Sequence, residues 1–301
     1  MMARWCRWVV SLLFISTLLM GCKAEPPLGS AERPIVMGFV PSVETGQLLE
    51  TTTALTTLLE EETGYQIEPY IPTDYAAVVE GLGAGKVDVA QLSAVAYVLA
   101  HDKYGAQTIL VTIRKGKTNY RGQIIVRADS DIHSLDDLKG KSFSFTDPVS
   151  ASGHIYPKAL LIQEGYDPDT FFGETVFAGG HDRVIVAVMD GTVDAGAIYD
   201  GARDLPAIRE MYPDVMENTR VIAETKPIPL DTIVVRKDLP PEMVQKIKDA
   251  FLAVAATNEG AVILADPYGI DGYLPSQDSD YDPVREAARA MGIDLEEWIK
   301  G

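Results

Sequence analysis

The chemistry of this chain concentrates in Phe143-Ser144-Phe145-Thr146-Asp147-Pro148-Val149-Ser150-Ala151-Ser152-Gly153-His154, an apolar strand that runs into a turn and then opens a helix. At a helix start the backbone N–H groups lack partners and the dipole is positive, which suits an anion. Phosphate-like oxyanions need several convergent neutral donors. The hydroxyls of Thr146, Ser150 and Ser152, with the N–H groups around Ala151 and Gly153, are of the right kind. The competing reading is structural, with a serine here serving only as an N-cap.

These residues are carried on an exported body. Arg4 and Arg7 precede an apolar run from Trp8 to Met20 that ends in Leu19-Met20-Gly21-Cys22, the order of a signal peptide over residues 1–21. The tetrapeptide resembles a bacterial lipobox, which makes Cys22 the lipidated residue. Lys23 to Pro34 is rich in Pro, Gly and Ser, so residues 22–34 read as lipidated Cys plus flexible tether. Only Cys6 and Cys22 are present, the first lost and the second modified, which leaves no disulfide and no Cys metal site.

The body after Pro34 has about 267 residues, enough for one large domain or two lobes. Without Arg4 and Arg7 the balance is 24 basic against 44 acidic residues, a net charge of about −20, so nucleic acid is not an expected partner. An anion remains compatible with that charge, because the potential at a desolvated helix terminus is set by local dipoles.

Strand and helix signals alternate. Ile35 to Val40 is an apolar strand, Gln47 to Glu61 a helix stopped by Gly64, Gln66 to Ile71 a strand, and Tyr75 to about Leu82 a helix stopped by Gly83 and Gly85. This is an α/β pattern with parallel sheets expected. Asp74-Tyr75, an apolar helix and Gly85-Lys86-Val87-Asp88 are echoed by His181-Asp182, the helix Val184 to Met189 and Gly191-Thr192-Val193-Asp194. Two similarly built lobes follow, with ligands expected at the carboxyl ends of their strands, near Leu92-Ser93-Ala94 and Ala197-Ile198-Tyr199-Asp200. The extended runs Tyr120 to Arg127 and Pro227 to Val235 are expected to cross between them and to allow clam-shell closure.

At this point the residues resemble the type II solute-binding proteins of ABC importers, and within them the phosphate/phosphite/phosphonate-binding family. The resemblance rests on Ile132 to Lys141, on the Asp147-Pro148-x-Ser150-x-Ser152-Gly153 turn, on Gly180-His181-Asp182 and on Pro229-Leu230-Asp231-Thr232. Ile132 to Lys141 itself reads as a short helix capped by Ser134, with Asp137 in its first turn and Gly140 as its stop. The resemblance implies an α/β type II periplasmic-binding-protein fold, two Rossmann-like lobes joined by two hinge strands. The lobes are expected at 35–122 plus 230–301 and at 123–229. It further implies that Ser150, Ser152 and nearby N–H groups hold the phosphonyl oxygens, that His181 adds a donor, that Asp231 faces the ligand near the hinge, and that Tyr75 and Tyr97 close over it from the first lobe. Asp231 beside an anion should accept a proton or hydrogen bond, from a P–OH or a ligand amine. Tyr199 and Asp200 are candidates for the ligand's distal end, and His154 for a further donor. The segment Gln91 to Tyr97 departs from the family in lacking the Gly-Pro that many relatives carry.

Ser, His and Asp are all present, yet no Gly-x-Ser-x-Gly elbow occurs and the four His residues lack metal-ligand spacing, so neither an enzyme nor a cofactor is expected. The expectation is a monomer, lipid-anchored outside the cytoplasmic membrane, that binds a phosphorus oxyanion and serves an ABC permease. A sensory binding protein for a membrane receptor stays open as an alternative. So does a binding protein for a pyrimidine or sulfonate, although few stacking aromatics and many Ser donors speak against a flat heterocycle.

Overall fold

The computed structural model describes residues 25–265, 269–290 and 292. The expected signal peptide and the lipidation position Cys22 lie outside the described residues. Part of the segment read as a tether is docked. Gly29 N–H donates to the Arg33 carbonyl, Gln66 N–H donates to the Gly29 carbonyl, and Leu28 packs on the core. Turns and linkers share the same Pro, Gly and Ser composition, and here tertiary contacts select the turn. Gly29 has φ +86°, and a Cβ there would stand 2.6 Å from the Tyr65 ring.

In chain order the strands are β1 (Ile35–Phe39), β2 (Ile67–Tyr70), β3 (Val89–Leu92), β4 (Gln107–Ile113), β5 (Asn119–Tyr120), β6 (Gly122–Arg127), β7 (Ser142–Phe145), β8 (Glu174–Phe177), β9 (Ala195–Tyr199), β10 (Thr219–Glu224), β11 (Ile228–Pro229), β12 (Thr232–Val235) and β13 (Gly272–Pro275). One sheet has the order β13-β4-β12-β3-β1-β2 and the other β10-β6-β9-β7-β8. The expected parallel pairing holds within β2-β1-β3 and within β8-β7-β9, whereas β12 and β13 join the first sheet, and β6 the second, antiparallel. β6 and β12 arrive from the other lobe with no crossover helix, so they are not held to parallel pairing. The second sheet begins at Gly122, directly after Tyr120 and Arg121. β5 pairs with β11 as a two-stranded ribbon, Ile228 opposite Tyr120 and Pro229 opposite Asn119.

The internal repeat is carried down to single bonds. Asp88 Oδ2 accepts from Val36 N at 2.9 Å, and Asp194 Oδ2 accepts from Ser142 N at 2.9 Å, each pair 52 residues apart. In each lobe the carboxylate after the Val-Asp turn bolts that turn to the first strand. The register repeats as well, Met37 facing Val89 and Phe143 facing Ala195. Helices Tyr75–Gly83 and His181–Met189 occupy matching places in the two units.

The core follows the apolar runs. Ile35, Met37 and Phe39 of β1 are buried with Ile247, Phe251 and Val254 of the helix Pro241–Ala255. Phe143, Phe145, Ile124 and Leu161 form a separate cluster in the second lobe. A third cluster runs across both lobes, from Tyr75 and Val95 to Val149, Ile155 and Val184. The Ile132 to Lys141 segment differs from expectation. It holds only a short 3-10 turn, Asp136–Leu138, and Ser134 does not cap it. Asp137 instead accepts bonds from His133 N, Ser134 N and Ser134 Oγ, because a carboxylate reaches three donors where a hydroxyl reaches one. Gly140 does end the turn, at φ +73°.

Candidate functional site

Four helical segments start where parallel strands end, and their starts converge. Helices Tyr75–Gly83 and Ala94–Tyr104 follow β2 and β3 in the first lobe. A π-type turn, Ala151–Ile155, leading into helix Tyr156–Gln163, follows β7 in the second lobe, and helix His181–Met189 follows β8. Residues from all four starts line one cavity of about 50 Å³: Tyr75, Ser93, Ser150, Ser152 and His181. With no ammonium group among these five, the positive potential they offer comes from helix ends and N–H dipoles.

Ser150 is both a cap and a wall of this cavity. Its Oγ accepts from Gly153 N at 3.1 Å, which uses a lone pair and leaves its own proton to donate. Ser150 and Ser152 are each 2% exposed. The Ser152 side chain also hydrogen-bonds the Tyr120 hydroxyl, which burial holds well above the usual tyrosine range. Gly153 is therefore a supporting residue, its N–H spent on the cap. A Cβ there would stand 2.2 Å from Thr146 Oγ1, so only glycine admits this approach.

His181 is 4% exposed, and burial, helped by Arg114, pulls its imidazolium down to about 3, so the ring is neutral. The His181 backbone N–H donates to the Ser42 carbonyl at 2.9 Å, a bond that joins the lobes at the cavity rim. A second such bond runs from Tyr75 N–H to Asp147 Oδ2 at 3.4 Å, and burial raises that carboxylate. The His181 ring meets Tyr199 edge to face at 4.9 Å.

Asp231 lies between β11 and β12 and lines the cavity. Its carbonyl is held by Thr112 N at 2.9 Å and Thr112 Oγ1 at 3.1 Å. Burial pushes its carboxyl up to about 6, against the opposing pull of Arg114 and a bond from Gln91. Facing an anion, such a group is suited to holding a proton or to meeting a protonated oxygen.

Of the residues expected at the site, Ser150, Ser152, His181, Asp231 and Tyr75 line the cavity and four others do not. Thr146 is wholly buried behind His181, its Oγ1 3.2 Å from His181 Nδ1. Ala151 is buried against the core, and Gly153 sits beneath the turn. Tyr97 is placed elsewhere. It is fully buried on the helix Ala94–Tyr104, meets Tyr281 edge to face at 4.6 Å and donates to Asp278 at 2.8 Å. At a helix's fourth residue, one turn in, its side chain faces the C-terminal segment rather than the helix mouth. His154 also turns away, its Nδ1 2.8 Å from the Pro148 carbonyl, its ring against Phe145 and Phe177 and its imidazolium pulled down to about 4 by burial.

Ser93, in the Leu92-Ser93-Ala94 strand end where ligand was expected, lines the cavity, whereas sequence reasoning passed over Thr112, Arg114 and Tyr120, which line it too. Arg114 directly follows β4, the same strand-end signal that pointed to Ser93 after β3 and that could have flagged it. Among the described residues no group of three His, Cys, Asp or Glu side chains is placed to hold a metal ion.

Comparison with known proteins agrees with this architecture. Residues 37–281 match the family described as "ABC transporter, phosphonate, periplasmic substrate-binding protein". The chain is 32% identical to the phosphate-import protein PhnD of Mycolicibacterium smegmatis, with 86% of each chain covered. It is 28% identical to the phosphonates-binding periplasmic protein of Escherichia coli, over 92% of this chain and 81% of that one. Among solved structures, a binding protein component of an ABC phosphonate transporter from Pseudomonas aeruginosa superposes with a TM-score of 0.80 at 26% identity, covering 86% of this chain and 87% of that one.

Proposed function

The chain belongs to the family of periplasmic substrate-binding proteins of ABC phosphonate transporters, and from that premise we propose that its cleft captures a phosphorus oxyanion by closure of the two lobes and delivers it to a membrane permease. The family is one of binding proteins rather than enzymes, and it works outside the cytoplasm. The observation that carries the reading is the convergence of Ser150, Ser152 and a neutral His181, at helix starts of the second lobe, with Tyr75 and Ser93, at helix starts of the first, on one small cavity. Ser150 and Ser152 donate to the anion, Tyr75 covers it, and Asp231 meets a protonated oxygen. A cavity of about 50 Å³ suits a compact tetrahedral group. The named relatives are a phosphate importer and a phosphonates binder, both of that class.

The lobes are assigned to 35–122 plus 230–301 and to 123–229, which the sheet memberships support, with the β5-β11 ribbon as hinge. Leu19-Met20-Gly21-Cys22 supports a lipid anchor at Cys22, and the molecule acts as a monomer. Thermal unfolding tests the binding reading: a phosphorus oxyanion at about 100 times its dissociation constant should add roughly 2.7 kcal/mol of stability. No shift with phosphate, phosphite or several phosphonates, after carried-over ligand is stripped, would reject it.

A further inference from the structure

Arg114, the residue after β4, is the cation that lines the cavity, and its side chain is only 13% exposed. Its guanidinium carbon lies 5.5 Å from the Tyr120 ring centre and 5.2 Å from that of Tyr199, both of them cavity residues. The same group pairs with Asp200, just past β9, so the pair bridges the lobes. Gly201, just beyond Asp200, adopts φ +106°, a left-handed conformation that favours glycine. Stacked on two rings and tied to a carboxylate, the Arg114 side chain is a fixed charge rather than a roaming one.

We propose, building on the oxyanion reading of the cleft, that Arg114 is a specificity-determining residue that places a permanent positive charge at the distal end of the cavity and selects oxyanions with a small uncharged substituent over those bearing an ammonium group. Two carboxylates lie close to Arg114, Asp200 as its ion partner and Asp231 in the lining of the same cavity, and they would welcome an alkylammonium if they stood alone. Arg114 takes the first as its ion partner and compensates the charge of the second, whose ionised form it favours. A phosphonyl oxygen gains from the same field that repels a ligand amine. The inverse preference is therefore latent in the site and is masked by one residue.

A purely structural latch between the lobes would weaken every ligand alike when removed, whereas a selecting charge changes the ratio of affinities. Calorimetric titration of the purified protein with methylphosphonate and with 2-aminoethylphosphonate separates the two. The unaltered protein should favour methylphosphonate by roughly ten-fold or more, Arg114→Gln should lower that ratio by roughly ten-fold, and Arg114→Lys should keep the preference because it keeps the charge. If Arg114→Gln does not fold, Asp200→Asn replaces it: freeing the guanidinium from its counter-charge should raise the ratio. A ratio unchanged in Arg114→Gln or lowered in Asp200→Asn overturns the proposal, as does an unaltered protein that prefers the amine. Failure of the unaltered protein to bind these two, phosphate and phosphite instead overturns the oxyanion reading, and this inference with it.

Discussion

The Thr146 hydroxyl oxygen stands 3.2 Å from His181 Nδ1 and 3.2 Å from the Ala197 carbonyl oxygen. It has one proton for two acceptors. Directed at Nδ1, that proton leaves Nε2–H as a donor, and directed at Ala197 it leaves Nδ1–H and an accepting Nε2. An oxyanion on Nε2 selects the first arrangement. Thr146→Val removes the hydroxyl behind the ring, and oxyanion affinity should fall by about 1 kcal/mol, roughly five-fold in Kd by calorimetry. An unchanged Kd would show that the tautomer is set without Thr146.

Ser150 and Ser152 separate capping from binding. Ser150→Ala should lower folding stability by about 1 kcal/mol because the bond from Gly153 N is lost, while Ser152→Ala removes no cap but takes the partner from the buried Tyr120 hydroxyl, at a cost of about 1–3 kcal/mol. Each should weaken the oxyanion by about 1.5–3 kcal/mol, the range for hydrogen bonds to a charged group. Unchanged affinity in the double variant would remove these serines from the site.

Asp231 makes the apo protein pH-sensitive in a defined direction. Its carboxyl is pushed from 3.8 to about 6, so between these values the folded state holds a proton that the unfolded chain has lost. The stability linked to that proton is fully present below pH 3.8 and is lost as pH rises through about 6. Asp231→Asn should therefore stabilise the apo protein at pH 7, on the order of 2 kcal/mol, with the gain vanishing in acid. Denaturant melts at pH 4 and pH 7.5 would check it, and an equal effect at both would contradict the shift.

Gly153 is a steric requirement. Gly153→Ala sets a Cβ 2.2 Å from Thr146 Oγ1 and 2.4 Å from Thr146 Cβ, in a turn closed by the bond from Thr146 N to the Gly153 carbonyl. Relief needs movement of the turn, at a cost of about 1–3 kcal/mol. A melt equal to that of the unaltered protein would show the turn to be softer than its packing suggests.

The repeated carboxylates should not be equally costly to replace. Asp88 bonds Val36 N and also pairs with Arg236 at 2.8 Å, with both side chains nearly out of solvent, whereas Asp194 bonds Ser142 N and Ser142 Oγ and is only partly buried. Asp88→Asn leaves Arg236 without its buried partner and should cost about 3 kcal/mol or more, against about 1 kcal/mol for Asp194→Asn. Equal losses in urea melts would argue against the buried pair.

Much of this protein is written locally. Apolar runs, Gly stops and the Val-Asp echo are properties of neighbouring residues, and they determined the strands, the main helices, the two-lobe plan and the Ser150–Gly153 turn. The same logic failed where one composition serves two ends, as at Gly29, docked on Tyr65 within a segment that reads as a linker. What tertiary structure alone decided is which side chains meet across long separations. Arg114 finds Asp200 86 residues away, and Thr146 comes to lie behind His181 35 residues on. Tyr97 leaves the cleft for Asp278, 181 residues distant. Periodicity tells which face of an element is apolar but not which polar group from the other end of the chain will stand opposite. That choice is made by packing, because a buried donor or charge settles only where a partner offsets its lost water.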